Sequence, residues 1–281
     1  MPLAGLVDHF LYAHNRSVGD TPVLYNVDDK VPCAVYGNDG PPAPRTLVYV
    51  HGNGTSLASL HESGMPQALS RACAAMVLAV ELPGFGCDAG PPVTGEARDR
   101  RCCEYVHAAL RYLRRKGATN ISVVGRSLGV GVVLKTFAMY PRLANNTPAV
   151  VLVSGFTSVK DMCSSAWLKP FVSERFCNRQ NITMLAPRMR VAVVHGTADS
   201  LIPFEHAKRL VDARPGATLV PVVGMDHSPN ANEMQHVAAV VANQLASTRG
   251  CPPSFDADVL DAKRAGAAPP ATNVWALLCP V

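Results

Sequence analysis

The sequence lacks the features that mark several large classes of protein. It has no apolar run near the roughly 18 residues that a membrane-spanning helix needs. It has no CxxC pair and no His/Cys cluster with metal-ligand spacing, so we expect no metal site. Its net charge of +5 on 281 residues is mild, and no dense Lys/Arg run with interleaved aromatics is present. We therefore do not expect nucleic acid among its partners.

Targeting signals are also not recognisable near the N-terminus. The residues MPLAGLVDHF contain no basic region and too short an apolar stretch for a signal peptide, and Pro2 excludes N-myristoylation. Nine cysteines, an odd number, then indicate free thiols rather than a disulfide framework. We expect a cytoplasmic protein. Five glycosylation sequons weakly oppose this location and are treated as incidental: Asn15, Asn53, Asn120, Asn145 and Asn181.

What the sequence does contain is a regular alternation of strand and helix patterns. Six apolar, largely β-branched runs are typical of strands buried on both faces of a parallel sheet. They are TLVYV (46–50), MVLAV (76–80), ISVVG (121–125), AVVLVS (149–154), RVAVVH (190–195) and ATLVPVV (217–223). Helical periodicity lies between them, in 95–116, after Pro203 and after Asn230, where Asn230 and Glu233 predict a capping box. This alternation predicts an α/β protein with a doubly wound, mostly parallel sheet and helices on both faces.

The same alternation defines the expected domain organisation. It occupies residues 44–248, which we predict to be the core of a single domain. Residues 1–43 are loop-rich and carry two strand candidates around VLYNV and VPCAVYG, so we assign them to the same domain. Residues 249–281 are Pro/Ala-rich and aperiodic, which predicts a tail or a strap over the domain.

A serine stands between glycines where one of these strands meets its helix. Residues 125–129, GRSLG, match the pattern G-x-S-x-G. The glycines allow a sharp reversal, because a Cβ at either flank would collide with the neighbouring strand or helix. The turn would raise the Oγ of Ser127 above the carboxyl edge of the sheet, at a helix N-terminus. The pattern predicts a nucleophile, and the alternative is a plain helix N-cap.

A serine nucleophile needs a base and a group that orients the base. Asp199 lies in the loop after RVAVVHG, and His227 lies in the loop after TLVPVVG. Ser127, Asp199 and His227 thus occur in the chain order expected for this architecture. Asp226 is the less favoured acid, because an immediate neighbour of His227 points away from it. The other histidines have structural interpretations, in strand ends for His51 and His195 and on helix surfaces for His206 and His236.

Backbone N–H groups that could stabilise an oxyanion are expected beside this serine. The segment HGNGTS follows the strand at 46–50, and its Asn53 or Gly54 can turn an N–H group toward the site. The second donor is expected to be the N–H of Leu128, directly after the nucleophile. An ordinary glycine turn is the alternative interpretation of the first segment.

Five segments together resemble a known family. HGNGTS, ELPGFG (81–86), GRSLGVG, HGTADSLIP and GMDHSP are similar to motifs of α/β-hydrolases of the Bem46-like group, close to the α/β-hydrolase-domain protein depalmitoylases. The resemblance covers roughly residues 44–248. It implies the α/β-hydrolase fold, a triad of Ser127, Asp199 and His227, and oxyanion donors at Asn53 and Leu128. It also implies hydrolysis of esters, thioesters or occasionally peptides without a cofactor.

The chain departs from the family pattern in two places. Glu81 replaces the aspartate that commonly precedes the Gly-Phe-Gly turn, and we expect little effect on the chemistry. The first 32 residues contain no cysteine, whereas the depalmitoylases carry an acylated N-terminal cysteine cluster. Ester or thioester hydrolysis is therefore the expectation, with depalmitoylation as one form of it. A serine peptidase and a non-enzymatic binding protein of the same fold are the alternatives.

The expected substrate class follows from what covers the serine. The region between the strands at 149–154 and 190–195 is short, so we expect a small or absent lid and an acylated small molecule, lipid or protein as substrate. Five apolar residues there form either an acyl-chain wall or core packing: Trp167, Leu168, Phe171, Val172 and Phe176. The basic residues of 95–116 form either a solvated face or a contact with anionic membranes: Arg98, Arg100, Arg101, Arg111, Arg114, Arg115 and Lys116.

Overall fold

Eight strands form one sheet in the computed structural model, which describes residues 24–28, 30–37, 45–88, 93–163 and 167–246. The strands are β1 (Leu24–Val27), β2 (Val31–Tyr36), β3 (Thr46–Val50), β4 (Met76–Val80), β5 (Ile121–Arg126), β6 (Ala149–Val153), β7 (Arg190–Gly196) and β8 (Thr218–Val222). Their order across the sheet is β1-β2-β4-β3-β5-β6-β7-β8. The β1–β2 and β2–β4 pairs are antiparallel and the other five pairs are parallel. The predicted mostly parallel sheet is confirmed.

Helices pack on both faces of this sheet. Within the described ranges they are α1 (Leu57–Glu62), α2 (Met65–Cys73), α3 (Gly95–Arg115), α4 (Leu128–Met139), α5 (Asn178–Asn181), α6 (Glu205–Ala213) and α7 (Ala231–Ala246). Successive side chains of β3 point to opposite faces. Val48 and Val50 join one hydrophobic cluster with α3 and α4, whereas Leu47 and Tyr49 join a second cluster with α2 and α7. This burial on both faces explains the uninterrupted apolar runs and confirms the doubly wound arrangement.

The strand register brings the functional loops to one edge of the sheet. Val50 at the end of β3 is level with Gly125 of β5, and Arg126 is level with Val153 of β6. Gly196 at the end of β7 is level with Val222 of β8. Because these strands are parallel, the loops that follow them all leave at the carboxyl edge, where open α/β sheets bind their ligands.

The segment between β6 and β7, residues 155–189, is called the cap segment here. In its described residues, the regular structure is limited to α5 and to the 3₁₀ turns Lys160–Met162, Lys169–Phe171 and Ile182–Met184. Buried side chains hold it instead, since Phe176 is 1% exposed and packs edge-on against Phe156. The described residues of this segment do not form a large lid.

The solvated basic face considered for 95–116 is found only in part, and the surface position predicted for His206 is wrong. Arg100, Arg111, Arg115 and Lys116 are exposed. Arg98 is buried rather than solvated, because its guanidinium donates two hydrogen bonds to the carbonyl of Pro83, at 3.1 and 2.8 Å. Arg114 of the same helix also reaches inward, to the carbonyl of Leu143. His206, expected on a helix surface, is buried and its Nδ1 accepts the N–H of Thr157 at 3.2 Å. These long-range acceptors carry no local sequence signal.

Some expectations concern residues outside the described ranges. Segment 249–281 and most of 1–43 belong there, so the domain boundaries remain predictions. The two strand candidates near residues 24 and 31 are found as β1 and β2. The capping box of α7 is also found, with Asn230 N–H donating to Glu233 and Glu233 N–H donating to Asn230. In the described part of the chain, no helix combines the length and apolar character that crossing a membrane requires.

Candidate active site

Ser127 lies on a strained turn between β5 and α4. Its φ of 52° and ψ of −117° fall in a region of backbone conformation where residues other than glycine are rarely found. A Cβ on Gly125 would stand 2.8 Å from the carbonyl oxygen of Gly129, and a Cβ on Gly129 would collide with the carbonyl oxygen of Val50. The predicted steric need for glycine at both flanks is therefore confirmed. The close approach of Gly129 to Val50 also brings the start of α4 against the end of β3.

The turn brings Ser127 into contact with the two other predicted residues. The Oγ of Ser127 donates to Nε2 of His227 at 3.1 Å, and Nδ1–H of His227 donates to Oδ2 of Asp199 at 2.9 Å. All three side chains are largely buried. They come from the loops after β5, β7 and β8, so the parallel sheet itself assembles them. This is the contact chain that general-base activation of a serine requires, and the catalytic roles remain a prediction.

The surroundings of Asp199 keep its carboxylate ionised and fixed. Its Oδ1 accepts the N–H groups of Leu201 at 3.1 Å and Ile202 at 2.7 Å. Burial raises the pKa of Asp199, but hydrogen bonds from His195 and His227 outweigh this effect and leave the pKa below its ordinary value. An ionised carboxylate held in this way favours the imidazole tautomer with its proton on Nδ1.

Asp226, the less favoured candidate acid, serves the loop rather than the imidazole ring. Its Oδ1 accepts the N–H of Ser200 at 2.8 Å, the hydroxyl of Ser200 at 2.9 Å and the N–H of His227 at 2.7 Å. These bonds join the loops after β7 and β8. The geometry therefore agrees with the choice of Asp199 as the orienting acid.

His195 also lies against the acid loop, as its strand-end position suggests. It is fully buried, and its Nε2–H donates to the carbonyl of Ile202 at 2.8 Å. The same nitrogen lies 3.4 Å from Oδ2 of Asp199. His195 therefore holds the Asp199 loop in place without reaching Ser127.

Glu81 has a structural role that the sequence does not suggest. It is buried, and its Oε1 lies 3.1 Å from Nε2 of the equally buried His51. Its Oε2 accepts the N–H of Leu57 at the start of α1, at 3.2 Å. Nδ1–H of His51 donates to the carbonyl of Gly52 at 2.8 Å. Glu81 thus fixes the Leu57 end of the segment that carries Asn53, while Nε2 of His51 at the other end accepts the N–H of Leu82 at 3.1 Å. A carboxylate at the end of an apolar strand is the only sequence signal for this role.

The predicted oxyanion donors both reach the cavity beside Ser127. Asn53 follows the end of β3 and lines the cavity together with Leu128. Leu128 is the first residue of α4, so its N–H has no acceptor within the helix. Gly54 adopts a φ of 68°, which turns the chain just after Asn53. The structure brings these residues together at the serine, and their role as donors stays a prediction.

The cavity beside Ser127 has a volume of about 350 Å³. Its lining is Asn53, Gly54, Thr55, Arg126, Ser127, Leu128, Phe156, Val159, Met162, Leu201, Ile202, His227 and Ser228. None of the five apolar residues considered as an acyl-chain wall is among them, and Trp167 and Phe171 are instead 73% and 66% exposed. The apolar side comes from the start of the cap segment and the loop after Asp199. Sequence reasoning missed both that wall and Arg126. Within the described residues, no three potential metal ligands cluster.

Comparisons with known proteins agree with this fold. A family model for the alpha/beta hydrolase fold matches residues 45–168, which include Asn53, Ser127 and Leu128. Human Protein ABHD12B is 25% identical over 183 residues, covering 59% of this chain and 49% of that protein. Human Alpha/beta hydrolase domain-containing protein 17B is 25% identical over 175 residues, covering 61% of this chain and 56% of that protein. The chain spans about half the length of these curated relatives.

A solved structure is similar to this chain over more residues than the family model matches. The esterase RhEst1 from Rhodococcus sp. ECU1013 has a TM-score of 0.58 to this chain at 19% identity. The superposition covers 80% of this chain and 98% of that structure. At this identity the likeness concerns the fold alone.

Proposed function

We propose that this chain, which has the α/β-hydrolase fold, is a serine hydrolase that cleaves carboxylic esters or thioesters. One observation carries the proposal. The Oγ of Ser127, the imidazole of His227 and the carboxylate of Asp199 are joined by hydrogen bonds of 3.1 and 2.9 Å at the edge of an open cavity. A buried serine whose role was only to cap a helix would need neither of the other two residues.

The contacts assign a role to each side chain in an acyl transfer. His227 removes the hydroxyl proton of Ser127 as the serine oxygen attacks the carbonyl carbon of the substrate. Asp199 keeps the imidazole oriented and stabilises the imidazolium that forms. The backbone N–H groups of Asn53 and Leu128 then stabilise the oxyanion. Collapse of this intermediate releases the alcohol or thiol, which takes the proton from His227.

The resulting acyl-enzyme is hydrolysed by the same groups. His227 removes a proton from water, and the hydroxide attacks the acyl carbonyl while the oxyanion donors act again. The Oγ of Ser127 leaves and recovers its proton from His227. Each proton that is taken is returned, so the cycle needs no redox partner.

The cavity supports an acylated small molecule, lipid or protein as substrate. Its volume of about 350 Å³ lies near the lower end of the range for small-molecule sites, which fits a short acyl group or the first part of a longer chain. Phe156, Val159 and Met162 give one side an apolar character that suits such a group. No residue of the lining favours a peptide over an ester.

Labelling with a fluorophosphonate probe tests the proposal. The wild-type protein should react covalently, while Ser127→Ala and His227→Ala should not. Ser173→Ala is the matched control, because Ser173 is exposed and does not line the cavity. Circular dichroism checks that each variant is folded. Absence of labelling in folded wild-type protein, or full labelling of Ser127→Ala, would contradict the proposal.

A further inference from the structure

Arg126 places a permanent positive charge in the wall of the cavity. It is the residue between Gly125 and Ser127, it is partly buried, and it lines the cavity beside Ser127 and His227. No Asp or Glu is among the described lining residues, and within the described part of the chain no carboxylate forms an ion pair with Arg126. A buried or partly buried guanidinium is usually paired with an anion.

The guanidinium is held in place while most of its donors stay available. Its Nη2 donates to the backbone carbonyl of His227 at 2.6 Å. A guanidinium has five N–H donors in a rigid fork, so a single bond to a neutral carbonyl leaves both its charge and most of its donors unused. The bond also fixes Arg126 relative to the loop of the predicted base.

Gly52 lets the end of β3 pack closely against the serine and this guanidinium. A Cβ on Gly52 would stand 3.1 Å from the Cβ of Ser127 and 3.7 Å from Nη1 of Arg126. The place where substrate can meet the cation is therefore the cavity itself, whose lining includes Arg126, Ser127 and His227.

We propose that Arg126 forms an anion subsite, so that the preferred substrates carry a carboxylate or phosphate close to the scissile carbonyl. The inference rests on the proposed hydrolase function and adds the charge of the substrate to it. The apolar side of the cavity takes the hydrocarbon part, and Arg126 takes the anionic part. A charged hydrogen bond of this kind contributes about 1.5–3 kcal/mol, which corresponds to roughly tenfold or more in kcat/KM.

A purely structural role for Arg126 makes a different prediction. If its only task were to hold the carbonyl of His227, its loss would impair every substrate in the same proportion. The informative quantity is therefore the ratio of kcat/KM for an anionic substrate to kcat/KM for a neutral substrate of the same shape. This ratio responds to the charge and is insensitive to a uniform loss of activity.

Two matched pairs of substrates measure this ratio. For an anion on the acyl side, the 4-nitrophenyl monoester of glutaric acid is compared with the 4-nitrophenyl ester of its monoamide. For an anion on the leaving-group side, butanoyloxyacetate is compared with butanoyloxyacetamide. All rates are corrected for uncatalysed hydrolysis. Wild-type protein should prefer the anion by about tenfold or more in at least one pair, and the preferred pair identifies the side on which the anion lies.

Two variants connect the preference to Arg126. Arg126→Gln keeps an N–H donor for the carbonyl of His227 but removes the charge, and should reduce the ratio to near one. Arg126→Lys keeps the charge and should retain a ratio above that of Arg126→Gln. No anion preference in the wild type, or equal losses on all four substrates in Arg126→Gln, would overturn the inference.

Fluorophosphonate labelling separates this outcome from failure of the hydrolase proposal. Wild-type protein that reacts with the neutral probe and shows no anion preference refutes the subsite alone. Wild-type protein that does not react with the probe refutes the proposed function on which the subsite rests. If Arg126→Gln is not folded, Arg126→Lys and the wild-type ratios decide the question.

Discussion

At the scale of single residues, the candidate site depends on how one carboxylate is held. Asp199 receives two backbone N–H groups on Oδ1, while its Oδ2 faces the rings of His227 and His195. Three hydrogen bonds therefore hold this carboxylate in one orientation. The imidazole of His227 is therefore oriented by a group that is itself fixed, which is a condition for efficient general-base catalysis.

Asp199→Asn should abolish most activity without unfolding the protein. An amide at this position can present its NH₂ to Nδ1 and so favour the wrong tautomer of His227, which we expect to lower kcat by about 10⁴-fold. Asp226→Asn, beside the same imidazole, should cause a much smaller loss because Asp226 bonds only to the loop. Ester hydrolysis by the two variants gives the comparison. Similar losses in both would contradict the assignment of Asp199.

His206 should make the stability of the protein depend on pH. Burial, together with the charge of Arg209, lowers its pKa from 6.5 to about 4. The unfolded chain therefore binds a proton in this range that the folded protein does not, and stability falls as pH decreases from about 6.5 to 4. The loss from this group is at most about 3 kcal/mol.

His206→Asn tests this dependence, because the amide oxygen can still accept the N–H of Thr157 but does not titrate. Urea unfolding at pH 7, 5.5 and 4 should show a smaller decrease in the free energy of unfolding for this variant than for the wild type. His236→Asn, on the partly exposed side of α7, should keep the wild-type dependence. Equal pH dependence in wild type and His206→Asn would show that His206 is not the responsible group.

At the scale of elements, the cap segment is attached to the helices by a buried ion pair. Nε–H of Arg175 donates to Oδ2 of Asp99 on α3 at 3.0 Å, and its Nη2 reaches Oδ1. Nζ of Lys135 on α4 lies 3.6 Å from the same carboxylate. Asp99 is fully buried, so this pair connects a segment with little regular structure to the interior of the domain. No local sequence motif marks this ion pair, which is why the sequence did not indicate it.

Removal of one partner of this ion pair should strongly destabilise the folded protein. Arg175→Met removes a guanidinium that is bound to both oxygens of the buried Asp99 carboxylate, and we expect a loss of about 3 kcal/mol or more in the free energy of unfolding. The double variant Asp99→Asn with Arg175→Met should lose less than the sum of the single losses, because no uncompensated charge remains. Urea unfolding of the four proteins completes the cycle.

The half-exposed pair of Lys169 and Asp161 in the same segment provides the control. Its nitrogen and oxygen lie 3.2 Å apart, but both side chains are partly solvated. Lys169→Ala should therefore cost at most about 1 kcal/mol. A loss for Arg175→Met that is as small as this would contradict the importance of the buried pair.

At the scale of the whole molecule, the sequence predicted those features that follow from the strand topology. Strands buried on both faces have a local signature, and parallel strands bring Ser127, Asp199 and His227 to one edge without further information. Contacts between distant segments have no such signature. Three hydrogen-bonded pairs were therefore found only in the folded chain: Arg126 with His227, Glu81 with Leu57, and Arg98 with Pro83.

The domain prediction leads to a test on the length of the chain. Within the described residues, the candidate site and both hydrophobic clusters lie between Val27 and Leu245. We therefore expect a chain that ends at Ala246 to unfold in one transition, with a Tm within about 4 °C of the wild type, the shift that ~1 kcal/mol produces in a domain of this size. It should also retain fluorophosphonate labelling at Ser127. Loss of labelling or of cooperative unfolding would mean that segment 249–281 acts as a strap that the domain needs, rather than as a dispensable tail.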